Sequence, residues 1–527
     1  MTKWIEACQL KAWLHDGEEV AVLDVREQGQ YGEAHLFYGV PLPYSRLELD
    51  AARMVPRLSV RLIVYDDDGT GIAVRAASRL VDMGYTQVYA LKGGTQAWKA
   101  AGYTLFAGVN LPSKTFGELA EHAYGTPSVS ANELAAWLDA KEDVVVLDGR
   151  PLSEFKKMSI PGATCCPNGE LAYRVRHLVP SEKTRIVINC AGRTRSIIGA
   201  QTLINLGVPN PVFALRNGTQ GWYLDDHVLD HGKTQAYGPP ADLERMKVSA
   251  SKLAERFAVQ LVSDEAVNGW ARDSQRSLFL CDVRTPEEFA QGSLMGAQLT
   301  PGGQLMQAMD QYVAVRNARL VLFDSDGIRA LTVASWLKQM GHDVYVLERG
   351  MRSGVGLSRG AALTLPALES ISALALAQKL EANEVAVIDL QPSMQYRKAH
   401  VPGARWSIRP VLAQALASET RQVVFVADEP LVAACAATEL AAMAKPLQVL
   451  DGGMNAWLNA GLPTEASETT PPDIECIDYL FFVHDRHDGN KAAALQYLAW
   501  ETNLIAQLDA LELASYRLPE TQKENHA

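Results

Sequence analysis

A chain of 527 residues is too long for one hydrophobic core and implies several domains of ordinary size. With 48% hydrophobic and 21% charged residues it has the composition of a globular protein, which excludes a low-complexity or disordered chain. The formal net charge of -12 argues against nucleic acid as a partner, and it means that any anion site must be made positive locally.

The N-terminal residues Met1 to Cys8 contain no apolar signal core, and no uninterrupted run of apolar residues is long enough to span a bilayer. A cytoplasmic protein without a membrane partner is expected. Seven cysteines (8, 165, 166, 190, 281, 435, 476) are an odd number without CxxC pairs, which reads as free thiols in a reducing compartment. The adjacent pair Cys165-Cys166 suits packing better than resolution of an oxidised thiol, because neighbours on a strand face opposite ways. His484 and His487 lack accompanying ligands, so no metal and no cofactor is expected.

Taken in chain order, one unit recurs four times. Four apolar strands end in Asp: Val20 to Asp24, Val144 to Asp148, Leu278 to Asp282 and Val385 to Asp389. Arg follows two residues on in three of them (Arg26, Arg150, Arg284), and Gln391 in the fourth. Roughly 40 residues later comes a second apolar strand: Leu62 to Tyr65, Ile186 to Asn189, Leu320 to Phe323 and Val423 to Val426. An Ala- and Leu-rich helical pattern follows, then a third strand, then a glycine turn with Trp98, Trp222 or Trp457 beyond it in three copies. The third copy keeps only Gly350.

Unbroken apolar strands separated by helices indicate parallel sheets buried on both faces. The fold class is therefore α/β: four tandem, small, doubly wound parallel-sheet domains plus a C-terminal helical extension. The expected domains are 1–110, 127–240, 247–360 and 368–465, with the extension at 466–527. Breaker-rich stretches near 111–127, 228–247 and 353–370 read as the connections. A helical pattern from about Asn490 to Tyr516 is expected to dock on a domain or on a second subunit, which makes a homodimer possible, and Glu520 to Ala527 reads as a frayed tail.

The second repeat carries the chemistry. Its strand runs into Asn189-Cys190-Ala191-Gly192-Arg193-Thr194-Arg195-Ser196 and then a helix. A loop closing onto a helix N-terminus is an anion nest, because unpaired N–H groups point inward and the dipole favours negative charge. A cysteine there has a lowered pKa and is a nucleophile near neutral pH. The two arginines do not suit an apolar pocket. In the other repeats the loop lacks the cysteine and is acidic, reading Tyr65 to Gly71, Phe323 to Arg329 and Val426 to Pro430.

Strand-D-x-R, then strand-C-x-x-x-x-R-S-helix, then G-G-x-x-x-W resembles the rhodanese (thiosulfate sulfurtransferase) domain, in four tandem copies with one active. The resemblance implies that Cys190 attacks the outer sulfur of thiosulfate, or of a persulfide, and passes the sulfur to cyanide or a thiol. It implies substrate contacts from Ala191, Gly192, Arg193, Thr194, Arg195 and Ser196. Arg195 matches the family's loop arginine, Arg193 adds a donor at the mouth, and Ser196 caps the helix. Arg150 matches the D-x-R arginine; it is counted with the substrate-binding residues, although pairing with Asp148 or Glu154 is favoured because Arg recurs in the copies without cysteine. The other three copies are expected to be inactive scaffold. The rivals are a persulfide carrier or regulatory module without turnover, and a phosphatase or arsenate reductase on the same fold. The cell-cycle dual-specificity phosphatases use C-x-x-x-x-x-R, one residue longer than the spacing from Cys190 to Arg195.

Overall fold

The computed structural model describes residues 2–358, 364–443, 446–481 and 489–519. His484, His487 and the 520–527 tail lie outside the described residues. Contacts divide the chain into two compact units, Met1–Ala12 with Ala21–Gly108 and Gly360–Phe481, and Trp13–Val20 with Val109–Arg359 and Phe482–Ala527. The first holds most of repeat one together with repeat four; the second holds repeats two and three.

Each repeat builds one parallel sheet. In repeat two the order is β6 (Ser128–Val129), β10 (Val212–Leu215), β9 (Arg185–Asn189), β7 (Val144–Asp148) and β8 (Thr164–Cys165). Asp148 at the end of β7 stands beside Asn189 at the end of β9, so the motif aspartate and the cysteine loop leave the same edge of the sheet. The three long strands are those legible as apolar runs. The outer two, of two residues each, are held by pairing alone and leave no apolar run.

Repeat three repeats this order with Gln260–Val262, Asp343–Leu347, Arg319–Phe323, Leu278–Asp282 and Gln298–Leu299. Repeat four does so with Glu369–Ile371, Leu447–Leu450, Gln422–Val426, Val385–Asp389 and Arg405–Trp406. In repeat two the core is Val146, Val187, Leu215, Phe155 and Trp222, all buried. The repeat tryptophans also close three of the four domains: Nε1 of Trp98, Trp222 and Trp457 donates to the carbonyls of Thr104, Val228 and Pro463.

The stretch near 111–127, expected as a connection, is a helix, Leu111–Tyr124. Its breakers are boundary signals: Pro112 sits in the first turn, where its missing N–H costs nothing, and Gly125 is the left-handed C-cap at φ 59. Gly117 lies inside the helix because a Cβ there would come within 2.7 Å of Thr194 Cγ2. The expected C-terminal helix is likewise divided, into Lys491–Thr502, a short 3-10 turn at Ile505–Gln507 and Ala510–Leu513.

The D-x-R motif is a repeated buried clamp. Arg150 Nε and Nη2 donate to Asp148 at 2.9 and 2.7 Å, and Nη2 also reaches the Met158 carbonyl at 2.7 Å. Arg26 holds Asp24 and the Ala34 carbonyl, and Arg284 holds Asp282 and the Gly292 carbonyl, in the same way. In repeat four the neutral Gln391 takes this place, donating to Asp389 from its backbone and side-chain nitrogens, each at 2.9 Å. Without a cation beside it, burial pushes the Asp389 carboxyl up to about 6.

Asp389 therefore holds a proton in the folded chain at pH values where the unfolded chain has lost it. Its contribution to stability is present in acid and is lost as pH rises through about 6. Gln391→Arg restores the clamp and keeps the carboxylate charged. The gain in melting temperature over the parent should be larger at about pH 7.5 than at about pH 5. Equal gains at both would show that Asp389 is already ionised in the parent.

Candidate functional site

β9 delivers Cys190 to the end of its sheet, and the chain turns through Ala191 and Gly192 into the helix Thr194–Asn205. The turn is closed from the next crossover. Thr219 N donates to the Cys190 carbonyl at 2.8 Å and Gln220 N to that of Ala191 at 3.1 Å. Gly218 makes this approach possible: its φ is 56, and a Cβ there would lie 2.3 Å from the Cys190 oxygen.

Cys190 is 2% exposed, and its Sγ accepts a hydrogen bond from Ser196 Oγ at 3.1 Å, with the Ser196 backbone N–H also directed at it. Ser196 is therefore not the helix cap. The helix begins at Thr194 with Arg193 at the N-cap position, and the Ser196 hydroxyl is turned inward to the sulfur. The low thiol pKa expected from the loop is also corrected. Burial raises the thiol above the ordinary cysteine value, and Arg195 and the Ser196 donors counter this only in part.

The electrostatic character of the loop is visible in the other repeats. Asp66 occupies the seat of Cys190 in repeat one, since Thr95 N donates to its carbonyl as Thr219 N does to Cys190. Its carboxylate folds back into the loop and accepts from the N–H groups of Gly69 and Ala73 at 2.6 and 2.9 Å. Asp324 does the same in repeat three, accepting from Gly327, Arg329 and Ala330 at 2.5, 2.8 and 3.2 Å. The loop of this fold thus holds an acidic group on backbone N–H groups, as a nest should. In repeat four the seat is Ala427, and Pro430 opens the following helix without an N–H.

The two arginines do not line an open, positive mouth. Arg195 Nη1 and Nη2 are engaged by Glu154 at 2.8 and 2.7 Å, a bidentate pair. Arg329 and Glu288 repeat that pair in repeat three, where the seat holds Asp324 and not a cysteine. Arg193 is held by Glu118 at 2.8 and 2.9 Å and by Glu121, both on the helix Leu111–Tyr124. Burial pushes Glu118 up to about 7 against the pull of Arg193. Arg150, 1% exposed, gives its Nε and Nη2 to Asp148 and to the Met158 carbonyl, and so ties the end of β7 to Met158.

The C-terminal helix Lys491–Thr502 lies on the loop within the same unit. Thr194 Oγ1 donates to Glu501 Oε1 at 3.0 Å, and a Cβ on Gly192 would lie 2.9 Å from Glu501 Oε2 and 3.4 Å from the Tyr497 ring. Lys114 packs over the Tyr497 and Trp500 rings at 4.9 and 4.5 Å. The helix that suggested a second subunit is thus seated in the chain itself. Sequence reading missed Glu118 and Glu501 as neighbours of the loop, and it named Glu154 only as a partner for Arg150.

Of the other cysteines, Cys165 and Cys166 are buried, and burial pushes Cys165 up to about 12. Neither is poised as a thiolate. Among the described residues no three His, Cys, Asp or Glu converge as metal ligands, and no helix is long and apolar enough to cross a membrane.

The rhodanese-like domain family matches the chain four times, at residues 6–101, 130–225, 265–355 and 372–460. The crystal structure of a thiosulfate sulfurtransferase from Pseudomonas aeruginosa is 41% identical, covers 98% of this chain and 99% of that one, and superposes with a TM-score of 0.90. The thiosulfate sulfurtransferase of Azotobacter vinelandii is 26% identical over 215 residues, 37% of this chain and 77% of that protein. YrkF of Bacillus subtilis is 32% identical over 102 residues; the match spans 19% of this chain and about half, 54%, of that protein. With its four matched segments and four like sheets, the chain belongs to the rhodanese-like domain family.

Proposed function

We propose that the protein is a rhodanese-type sulfurtransferase whose turnover runs through a persulfide on Cys190. The observation that carries this assignment is the comparison of seats. The same backbone loop that cradles a carboxylate in repeats one and three presents a sulfur atom in repeat two. A nest whose N–H groups accommodate carboxylate oxygens also accommodates a thiolate and the terminal sulfur of a persulfide.

In the first half-reaction the Cys190 thiolate attacks the outer sulfur of thiosulfate. The new S–S bond forms as the bond to the sulfonate sulfur breaks, and sulfite leaves with that electron pair. Cys190 then carries a persulfide anion. In the second, cyanide or a thiolate attacks the terminal sulfur, the Cys190–sulfur bond breaks, and thiocyanate or a new persulfide departs with the thiolate restored. A persulfide donor enters the first step in the same way, with a thiolate as leaving group. This is covalent catalysis of the ping-pong type. The protein supplies the N–H groups of the loop and the Ser196 hydroxyl, which hold negative charge on sulfur in all three states. Arg195 and Arg193 set the loop's position through Glu154 and Glu118.

The phosphatase reading has no support from the site, because the Arg195 fork is turned to Glu154 and is not presented to a phosphoryl group. Turnover beyond one sulfur per chain separates the enzyme from a carrier.

Cys190→Ser should abolish steady-state transfer from thiosulfate to cyanide while leaving the melting temperature close to the parent's. Mass spectrometry after donor treatment should find one added sulfur on the peptide carrying Cys190; its appearance on another cysteine peptide would reassign the nucleophile. Ser196→Ala removes one hydrogen bond to the sulfur, a contact worth about 1.5 kcal/mol when the acceptor is charged. The midpoint of the pH profile for alkylation of Cys190 should then move up by about one unit. An unmoved midpoint would show that the backbone alone stabilises the thiolate.

A further inference from the structure

Four carboxylates surround the loop that carries Cys190. Glu154 is matched by Arg195, and Glu118 and Glu121 share Arg193. The fourth, Glu501, makes no ion pair among the described residues. It is 2% exposed, and its Oε1 is held by the Thr194 hydroxyl. Its Oε2 is buried and has no hydrogen-bond partner. That free oxygen faces the backbone of Gly192, two residues from the sulfur. Lys114, on the packed helix Leu111–Tyr124, lies against the Tyr497 and Trp500 rings. The two loop arginines are thus already engaged by three carboxylates, and Glu501 is left over the loop without a cation of its own.

A buried acceptor without a donor is costly to hold and is kept where something binds it or where its field is used. We propose that Glu501 is a specificity-determining residue of the sulfur-transfer site. Held over the loop by the C-terminal helix, it disfavours dianionic substrates at Cys190 and favours a persulfide whose carrier brings an N–H or ammonium group to the free Oε2. This rests on the reading of Cys190 as the nucleophile and narrows the donor left open there. Thiosulfate brings two negative charges toward a carboxylate in a medium of low polarity, whereas an amine-bearing persulfide brings a donor that completes the carboxylate's hydrogen bonding.

The test compares alkylation of Cys190 by neutral iodoacetamide and anionic iodoacetate, followed on the Cys190 peptide by mass spectrometry. Any change in thiolate population alters both rates alike, so their ratio isolates the field acting on the reagent's charge. Glu501→Gln keeps the shape and removes the charge. It should raise the iodoacetate to iodoacetamide ratio by about threefold or more, and lower the KM for thiosulfate by a like factor with little change in kcat. Thr194→Val loosens the helix but keeps the charge; it should speed both reagents and leave their ratio unchanged. An unchanged ratio in Glu501→Gln, or an equal rise in Thr194→Val, would overturn the proposal and leave Glu501 as a packing contact. If Cys190 takes neither reagent in any variant, the nucleophile reading fails and the proposal with it.

Discussion

The constraint on which the site depends is the need to satisfy the N–H groups where a sheet strand turns into a helix. The first turn of any helix leaves donors without intrahelical partners, and a buried donor must find an acceptor. The repeats meet this demand in three ways. Asp66 and Asp324 supply a carboxylate from the chain itself. Pro430 removes a donor at the start of its helix. Cys190 alone leaves the demand to be met by a sulfur, which hydrogen-bonds weakly as a thiol and strongly as an anion. The loop in repeat two is therefore the one whose electrostatics improve when charge develops on the seated atom, and that is what a nucleophilic sulfur requires.

Seen in this light, the arginines act at one remove. In a loop built to hold an anion, arginine is expected to face the ligand, but both side chains here are turned outward to carboxylates. Arg193 ties the loop to the helix Leu111–Tyr124, and Arg195 ties it to the start of its own domain at Glu154. The recurrence of the second pair as Arg329–Glu288, beside an aspartate seat, argues that it maintains the loop's shape irrespective of what the seat contains. Buried, bidentate pairs of this kind are costly to break and fix geometry more surely than they add stability. The positive field at the sulfur is therefore made by backbone and hydroxyl donors together with an arginine that a carboxylate already engages.

How much of this is legible in the sequence follows from which signals are local. The long core strands, the D-x-R clamps, the glycine turns and the cysteine seat each leave a pattern within a few residues, so the four repeats and the loop that carries Cys190 can be read directly. The two-residue edge strands such as Thr164–Cys165 leave no period to detect. Pro112 and Gly125 were legible as breakers, but the same residues mark the first turn and the C-cap of a helix, and composition cannot decide between the two. The partners of the arginines come from distant segments: Glu118 lies 75 residues before Arg193, and Glu501 lies 307 residues after Thr194. No spacing rule reaches that far, and so a pocket read as locally positive proves to be lined by carboxylates as well.

The repeats without cysteine gain a role from the same geometry. Repeat three meets repeat two backbone to backbone: a Cβ on Gly169 would lie 2.4 Å from the nitrogen of Gly303, and Arg329 crosses to Glu170 at 2.9 Å. Beside the cysteine loop, Met306 and Trp336 of repeat three and Phe116 of the intervening helix form an apolar wall next to Thr194 and Arg195. Dry walls strengthen every dipole directed at the sulfur, because the effective dielectric falls, but they also raise the cost of ionising it. A covered thiol with a raised pKa and a loop made for anions are therefore two results of one burial. Burial raises the thiol, while the Ser196 donors that oppose that rise are already aligned on the sulfur. A single-repeat protein with an open loop would have the donors without the walls. Here the neighbouring repeat, whose own seat is filled by Asp324, supplies part of that wall through Met306 and Trp336.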